Sequence, residues 1–153
     1  MKLIIAAIGK SRPGPLKVLT NEYCARAAKL SGQFGFKGPT LVEKTGPNIA
    51  AEATALLSVG PVGAVNVALD ETGENLDTVS LMRKIVSLRE QNIPALVFHI
   101  GGADGHGQEL LGVCGKKISF GAATWPHMLV RVMLAEQLYR VMTALAGHPY
   151  HRE

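Results

Sequence analysis

The carboxyl end of the chain, His148-Pro149-Tyr150-His151-Arg152-Glu153, gathers an unusual amount of chemistry into one short stretch. Histidine exchanges protons near neutral pH. Tyrosine stacks on nucleobases and arginine pairs with phosphate, a combination that suits RNA. His148 and His151 have no third or fourth ligand nearby in the sequence, so zinc is not expected. A chain end by itself usually carries little, and the segments before it decide what this one can do.

The most specific of these is His99-Ile100-Gly101-Gly102-Ala103-Asp104-Gly105-His106-Gly107. Its glycines follow an apolar run, where they allow close backbone approach and positive φ. The spacing is not that of a dinucleotide fingerprint, and no Gly-Lys-Ser/Thr follows, so a nucleotide P-loop is disfavoured. Four glycines are more than one turn needs, which favours a ligand over a bare turn. Ser119-Phe120-Gly121-Ala122-Ala123-Thr124-Trp125-Pro126-His127 is a run of mostly small residues before the final helix. Its backbone amides and carbonyls can recognise an adenine edge; alternatively it is a plain connection with Thr124 as helix cap. Val67 to Gly73 ends a strand with Asp70 and Glu71, and reads as a solvated turn pivoting on Gly73. Arg131 falls in the apolar arc of the last helix, so it needs either a structural partner, such as Glu136 of a neighbouring chain, or an anionic ligand.

These segments must be held by a scaffold. The chain has 153 residues, the size of one domain spanning 1–153. It is 47% hydrophobic and 18% charged, enough apolar material for a sizeable core. The net charge of +4 permits a nucleic-acid partner without establishing one. Cys24 and Cys114 stand far apart and read as reduced intracellular thiols rather than a disulfide or metal pair. Leu3 to Ile8 is too short and too β-branched for a signal peptide, and no stretch approaches membrane-spanning length. A soluble cytoplasmic protein with neither membrane nor metal is expected.

Apolar strands alternate with helices. Strands are expected at Leu3 to Ile8, Val62 to Leu69, Ala95 to Ile100 and Lys117 to Phe120, with a short one within Phe34 to Glu43. Helices are expected at Leu16 to Leu30, Pro47 to Leu57 with Pro47 in its first turn, Asn75 to Gln91 capped by Asn75 or Asp77, Gln108 to Val113, and His127 to Ala146. This pattern gives an α/β fold with a mostly parallel sheet and helices on both faces. Ligands of such sheets bind beyond the carboxyl ends of the strands, after Leu69, Ile100 and Phe120. The last helix is apolar almost all round, which points to a dimer contact.

Ile100-Gly101-Gly102-x-x-Gly105, the run Trp125-Pro126-His127-x-Leu129-Val130-Arg131-Val132-x-Leu134-Ala135-Glu136-Gln137-Leu138-Tyr139-Arg140 and the His-Pro-Tyr-His-Arg-Glu terminus closely resemble the ribosomal RNA large subunit methyltransferase H family of the SPOUT class. The likeness extends over nearly the whole chain, strongest in the last third and weakest between Ser31 and Pro61. It implies a deep trefoil knot near the carboxyl end, a homodimer, and S-adenosylmethionine as cofactor. The implied reaction is methylation of N3 of a pseudouridine in helix 69 of 23S rRNA, within the assembled ribosome. The implied cofactor contacts are Leu69, Gly102, Gly121, Ala122, Ala123, Thr124, Trp125 and Pro126. Arg131, Tyr150, His151 and Arg152 are the candidate catalytic residues, with His127 a further candidate for substrate work. Where the family carries Pro-Glu after the paired glycines, this chain has Ala103-Asp104. Two rival readings remain open: another nucleotide-binding α/β protein, or a ribosome-binding factor without catalysis.

Overall fold

A computed structural model describes residues 1–150. The elements run β1 (Lys2–Ile8), α1 (Pro15–Ser31), β2 (Lys37–Lys44), α2 (Ile49–Leu57), β3 (Val65–Asn75), α3 (Thr78–Glu90), β4 (Ala95–Ile100), α4 (Gln108–Val113), β5 (Lys116–Ser119) and α5 (His127–Leu145). The five strands form one sheet in the order β2-β1-β4-β3-β5, and every pairing is parallel.

The alternating side chains of each strand feed two cores. Leu3, Ile5 and Ala7 of β1 join Ala27 of α1, Leu81 and Ile85 of α3, and Leu134, Leu138 and Met142 of α5 on one face. Ala6 and Ile8 join Ala53 and Leu56 of α2 and Leu110 of α4 on the other. All six residues of β4 are buried, as a central strand covered on both faces requires. The expected sheet and its two helical layers are therefore present.

Local signals account for the helix starts. Pro15 opens α1, where its missing N–H costs nothing. The Asn48 side chain accepts from the Ala51 amide at 2.9 Å and caps α2. Pro47 therefore precedes the cap and does not enter the first turn. Asp77 caps α3 through the Ser80 amide at 2.6 Å, and Asn75 belongs to β3 instead.

One expectation needs correcting and a second narrows. β3 does not end at Leu69 in a turn: it runs to Asn75, with a register shift against β5 that pairs Ile118 first with Leu69 and then with Glu74. Gly73 is the close-contact residue of this stretch, since a Cβ there would stand 2.6 Å from the Ile118 backbone. It is a packing glycine, not a turn pivot. The second concerns α5. Six of its apolar residues, Val132, Leu134, Ala135, Leu138, Val141 and Met142, are buried within the chain, while Leu129, Val130, Met133 and Leu145 are half-buried.

Candidate active site

Parallel pairing brings the carboxyl ends of β3, β4 and β5 to one edge of the sheet as neighbours. A cavity of about 830 Å³ opens there, between the loops that follow β4 and β5 and the Leu69–Thr72 stretch of β3. Seven of the eight residues expected to hold the cofactor line it: Leu69, Gly102, Gly121, Ala123, Thr124, Trp125 and Pro126. Ala122 lies in the same loop but not in the wall. Its apolar floor is built from Leu69, Ile100, Ile118 and Phe120, and His106, His127 and Val130 complete the wall. A second cavity, of about 740 Å³, lies between α3 and the amino-terminal halves of β3 and β4, and contains none of the expected residues.

The glycine loop after β4 folds back on itself. The Gly105 amide donates to the Gly102 carbonyl at 3.2 Å, and Gly105 has φ +77°. A Cβ on Gly101 would meet the Gly105 carbonyl oxygen at 2.4 Å, so only glycine allows the two strands of the loop to touch. His106 then latches the loop to the end of β3: its Nε2–H donates to the Leu69 carbonyl at 2.8 Å. Burial lowers the His106 pKa, against the Leu69 bond and the Asp70 charge, which act to raise it. The neutral ring so favoured has a fixed tautomer, and its Nδ1 is buried without a partner among the described residues.

The third loop is tied down from both sides. Ser119 Oγ accepts from the Gly121 amide at 3.0 Å, and the Trp125 Nε1–H donates to the Phe120 carbonyl at 3.2 Å. Thr124 is not a helix cap. Its hydroxyl donates to Glu71 at 2.7 Å, across to β3, while Pro126 occupies the N-cap position of α5 without a side-chain bond. Burial raises the Asp70 pKa, but bonds from the Thr72 hydroxyl and amide, with Lys117 and His106 nearby, bring it below the usual carboxylate value. The two acids expected in a solvated turn thus organise the cavity wall.

Of the four expected catalytic residues, the two that are described, Arg131 and Tyr150, do not line this cavity. Arg131 is 1% exposed and is not part of the wall. Its Nη1 donates to Glu43 at 2.9 Å and to Ser11 Oγ at 3.0 Å; its Nη2 donates to the carbonyls of Ile8 (2.5 Å) and Gly9 (2.9 Å). Its partner is therefore Glu43 of its own chain. Glu136, the partner expected from a neighbouring chain, instead bonds Arg140 one turn along α5 and accepts from the Tyr150 hydroxyl at 3.1 Å. The Nη1 and Nη2 donors of Arg131 are committed, while its Nε is buried with no partner among the described residues, so the side chain ties α5 to the ends of β1 and β2.

The Tyr150 ring is likewise engaged within the chain, 4.8 Å from the Tyr139 ring and with Arg140 over its face at 5.0 Å. Burial, a bond with Tyr23 and the Glu136 charge push its hydroxyl pKa up. This places Tyr150 on α5 beyond the cavity-lining first turn, so it neither faces the cavity nor offers a bare ring. His151 and Arg152 lie outside the described residues. His127 opens α5 and lines the cavity, its pKa lowered by burial and by nearby Arg131.

Sequence reasoning missed His106 and Glu71. His106 stood in a loop already singled out, but its partner is Leu69, 37 residues away. Glu71 was visible as an acid at a strand end, and its bond to Thr124 spans 53 residues.

Comparison with known proteins follows the same lines. A family model described as "Predicted SPOUT methyltransferase" matches residues 1–151. The chain is 45% identical over 159 aligned residues to the ribosomal RNA large subunit methyltransferase H of Rhodopseudomonas palustris strain BisB18, covering 99% of each chain. It is 44% identical over 160 to the protein of the same name from Afipia carboxidovorans, again covering 99% of both. Among solved structures it is similar to a Legionella pneumophila putative methyltransferase in complex with S-adenosylmethionine, at a TM-score of 0.48 and 10% identity, covering 95% of this chain and 66% of that one. The chain belongs to the SPOUT methyltransferases and, within them, to the ribosomal RNA large subunit methyltransferase H family.

Proposed function

We propose that this protein is the S-adenosylmethionine-dependent enzyme that methylates N3 of a pseudouridine in helix 69 of 23S rRNA, acting on the assembled ribosome as a cytoplasmic homodimer of single-domain chains. The observation that carries this reading is the convergence of the loops after β4 and β5 with the Leu69–Thr72 stretch of β3 on one cavity, in a chain of a methyltransferase family. The residues present fit the cofactor. The cavity of about 830 Å³ is within the range of small-molecule sites, and it combines an apolar floor with loop amides and carbonyls. Leu69, Gly102 and the stretch from Gly121 to Pro126 would hold the cofactor through backbone amides and carbonyls, which leaves the Trp125 side chain out of that contact. When bound, S-adenosylmethionine supplies a methyl group already activated on sulfonium.

The chain's own residues then have three tasks. The glycine loop and the 121–126 loop fix the reactants in line, the main source of rate when the methyl is already activated. His106, through the Leu69 carbonyl, holds the floor of the site in one shape. The acceptor N3 carries a proton that must leave; His151 takes it as a base, or it passes to solvent water while Arg152 and backbone amides stabilise the resulting anion. Arg131 acts as a positioning residue that sets α5 against the ends of β1 and β2. Tyr150 anchors the tail on α5 through Glu136.

The family's knot belongs to the same proposal. Gly73 lies against the backbone of Lys117 and Ile118, and Glu71 accepts from Thr124. β5 thus packs along β3 as far as Asn75, and the loop leaving β5 is bonded back to the middle of β3, as a threaded segment would be. The homodimer is supported by the exposed apolar Leu16, Val18 and Leu19 of α1.

The test is transfer of a labelled methyl group from S-adenosylmethionine to ribosomes lacking the modification, followed by mass mapping of the 23S rRNA. One added methyl at the helix 69 pseudouridine is expected. No methylation, or methylation elsewhere, refutes the reading. Within the same assay, Ala at His151 separates the two fates of the proton: an unchanged rate and pH profile excludes His151 as the base.

A further inference from the structure

We infer that Trp125 is the stacking platform for the acceptor base, a role separate from holding the cofactor. The inference rests on the methyltransferase reading and extends it to the substrate side of the cavity.

Trp125 is the sole tryptophan in the chain. It is 42% exposed, and among the large exposed apolar residues described it alone lines the cavity. An indole left open to water forgoes a large burial gain, so its position calls for a reason. Its polar atom is already spent inside the chain, on the Phe120 carbonyl. That bond fixes the orientation of the ring and leaves its face as the free feature. Ala122 and Ala123 precede it in the loop and are too small to cover an indole. Pro126 follows, and its ring restricts the backbone at that point. A rigid, uncovered π face with no free hydrogen-bonding group recognises a flat ring rather than a base edge or a phosphate.

Two flat rings meet in such a site, the adenine of the cofactor and the acceptor base. The enclosed part of the cavity is the floor of Leu69, Ile100, Ile118 and Phe120, whereas Trp125 lies in the exposed run 122–126. The base enters from solvent. It must be out of its stack for N3 to be reached, and an unstacked base in RNA gains its binding energy from an aromatic surface. The exposed indole therefore fits the acceptor.

The experiment compares Trp125→Ala and Trp125→Phe with the wild type. It reads kcat and KM for methyl transfer to unmodified ribosomes, cofactor affinity by calorimetry, and oligomeric state by sedimentation. Trp125→Ala is expected to lose about 5- to 150-fold in kcat/KM, the usual worth of one base stack, mostly through KM for ribosomes. Trp125→Phe is expected to recover most of that loss. Cofactor affinity and oligomeric state are expected to be those of the wild type. An undiminished kcat/KM in Trp125→Ala overturns the platform. So does a fall in cofactor affinity large enough to account for the loss, which would place the ring on adenine, or a shift toward monomer, which would place it in a subunit interface. If the wild type transfers no methyl to ribosomes, the methyltransferase reading fails and takes this role with it; a transferring wild type with an unimpaired Trp125→Ala removes the platform alone.

Discussion

Arg131 joins α5 to β1, β2 and the loop after β1 through one side chain. It is the largest of the fully buried side chains, and its charge is satisfied by one carboxylate, one hydroxyl and two carbonyls drawn from β1, β2 and the loop after β1. Arg131→Ala leaves those carbonyls and Glu43 without their donor and is expected to cost about 2–4 kcal/mol in urea unfolding. Arg131→Lys should recover little, because an ammonium cannot reproduce the fork. A loss below about 1 kcal/mol for Arg131→Ala would show that water replaces the network. Acid titration reports two further residues. Burial, followed by nearby His106, pushes His99 down to about 4 from 6.5. The unfolded chain then binds the proton first, so this contribution is complete above pH 6.5 and drains away as the pH falls to about 4. Glu43 acts lower on the scale: burial raises its pKa, but the two Ser11 bonds, Arg131 and Lys17 outweigh that and lower it below 4.5. Its contribution is full above the ordinary carboxylate value and is lost as the pH falls through the lower, folded one. Urea midpoints should therefore decline in two stages on acidification, and the His99 ring should titrate near 4 by NMR. A His99 pKa near 6.5 contradicts this.

Elements turn these residues into a site. The glycine loop between β4 and α4 uses its glycines for different reasons, and the reasons can be separated. Gly101→Ala puts a Cβ 2.4 Å from the Gly105 carbonyl, a clash with backbone that only a reshaped loop relieves. Gly105→Ala meets nothing within 4 Å but holds φ +77°, which costs about 1 kcal/mol of backbone strain. Gly101→Ala is expected to weaken S-adenosylmethionine binding by about tenfold or more, and Gly105→Ala by less than that, since strain of this size is worth at most about a factor of ten. Calorimetry on both variants is the check, and equal affinities would mean that loop shape does not govern the site. The existence of this loop and its place after a buried strand were readable from glycine count and flanking apolar residues. The continuation of β3 through Asp70 to Asn75 was not. Asp, Glu, Thr and Gly in succession carry turn propensity, and only the pairing with β5, possible because Gly73 admits the Ile118 backbone, makes them a strand.

At the scale of the whole molecule, the open question is what covers α1. Leu16 and Leu19 are 39% exposed and Val18 is 62% exposed on this first helix. Sedimentation at micromolar concentration is expected to give a dimer of the 16.3 kDa chain. Val18→Glu is expected to weaken it by about tenfold or more, since the new carboxylate would lose its water in the contact. A wild-type monomer, or a Val18→Glu dimer of unchanged affinity, argues against α1 as the interface. The apolar circumference of α5 is covered in part by α1 and the sheet of its own chain, with Leu129, Val130, Met133 and Leu145 left half-buried. The apolar periodicity of the sequence determined the order of strands and helices, the parallel sheet and the loops after β4 and β5 at its carboxyl edge, because local pattern and chain order suffice for those. The partners of Arg131, Tyr150, His106 and Glu71 were decided by the tertiary structure alone. Each bond joins residues between 14 and 123 positions apart, and a charge or a lone pair in a sequence carries no record of which distant group will meet it.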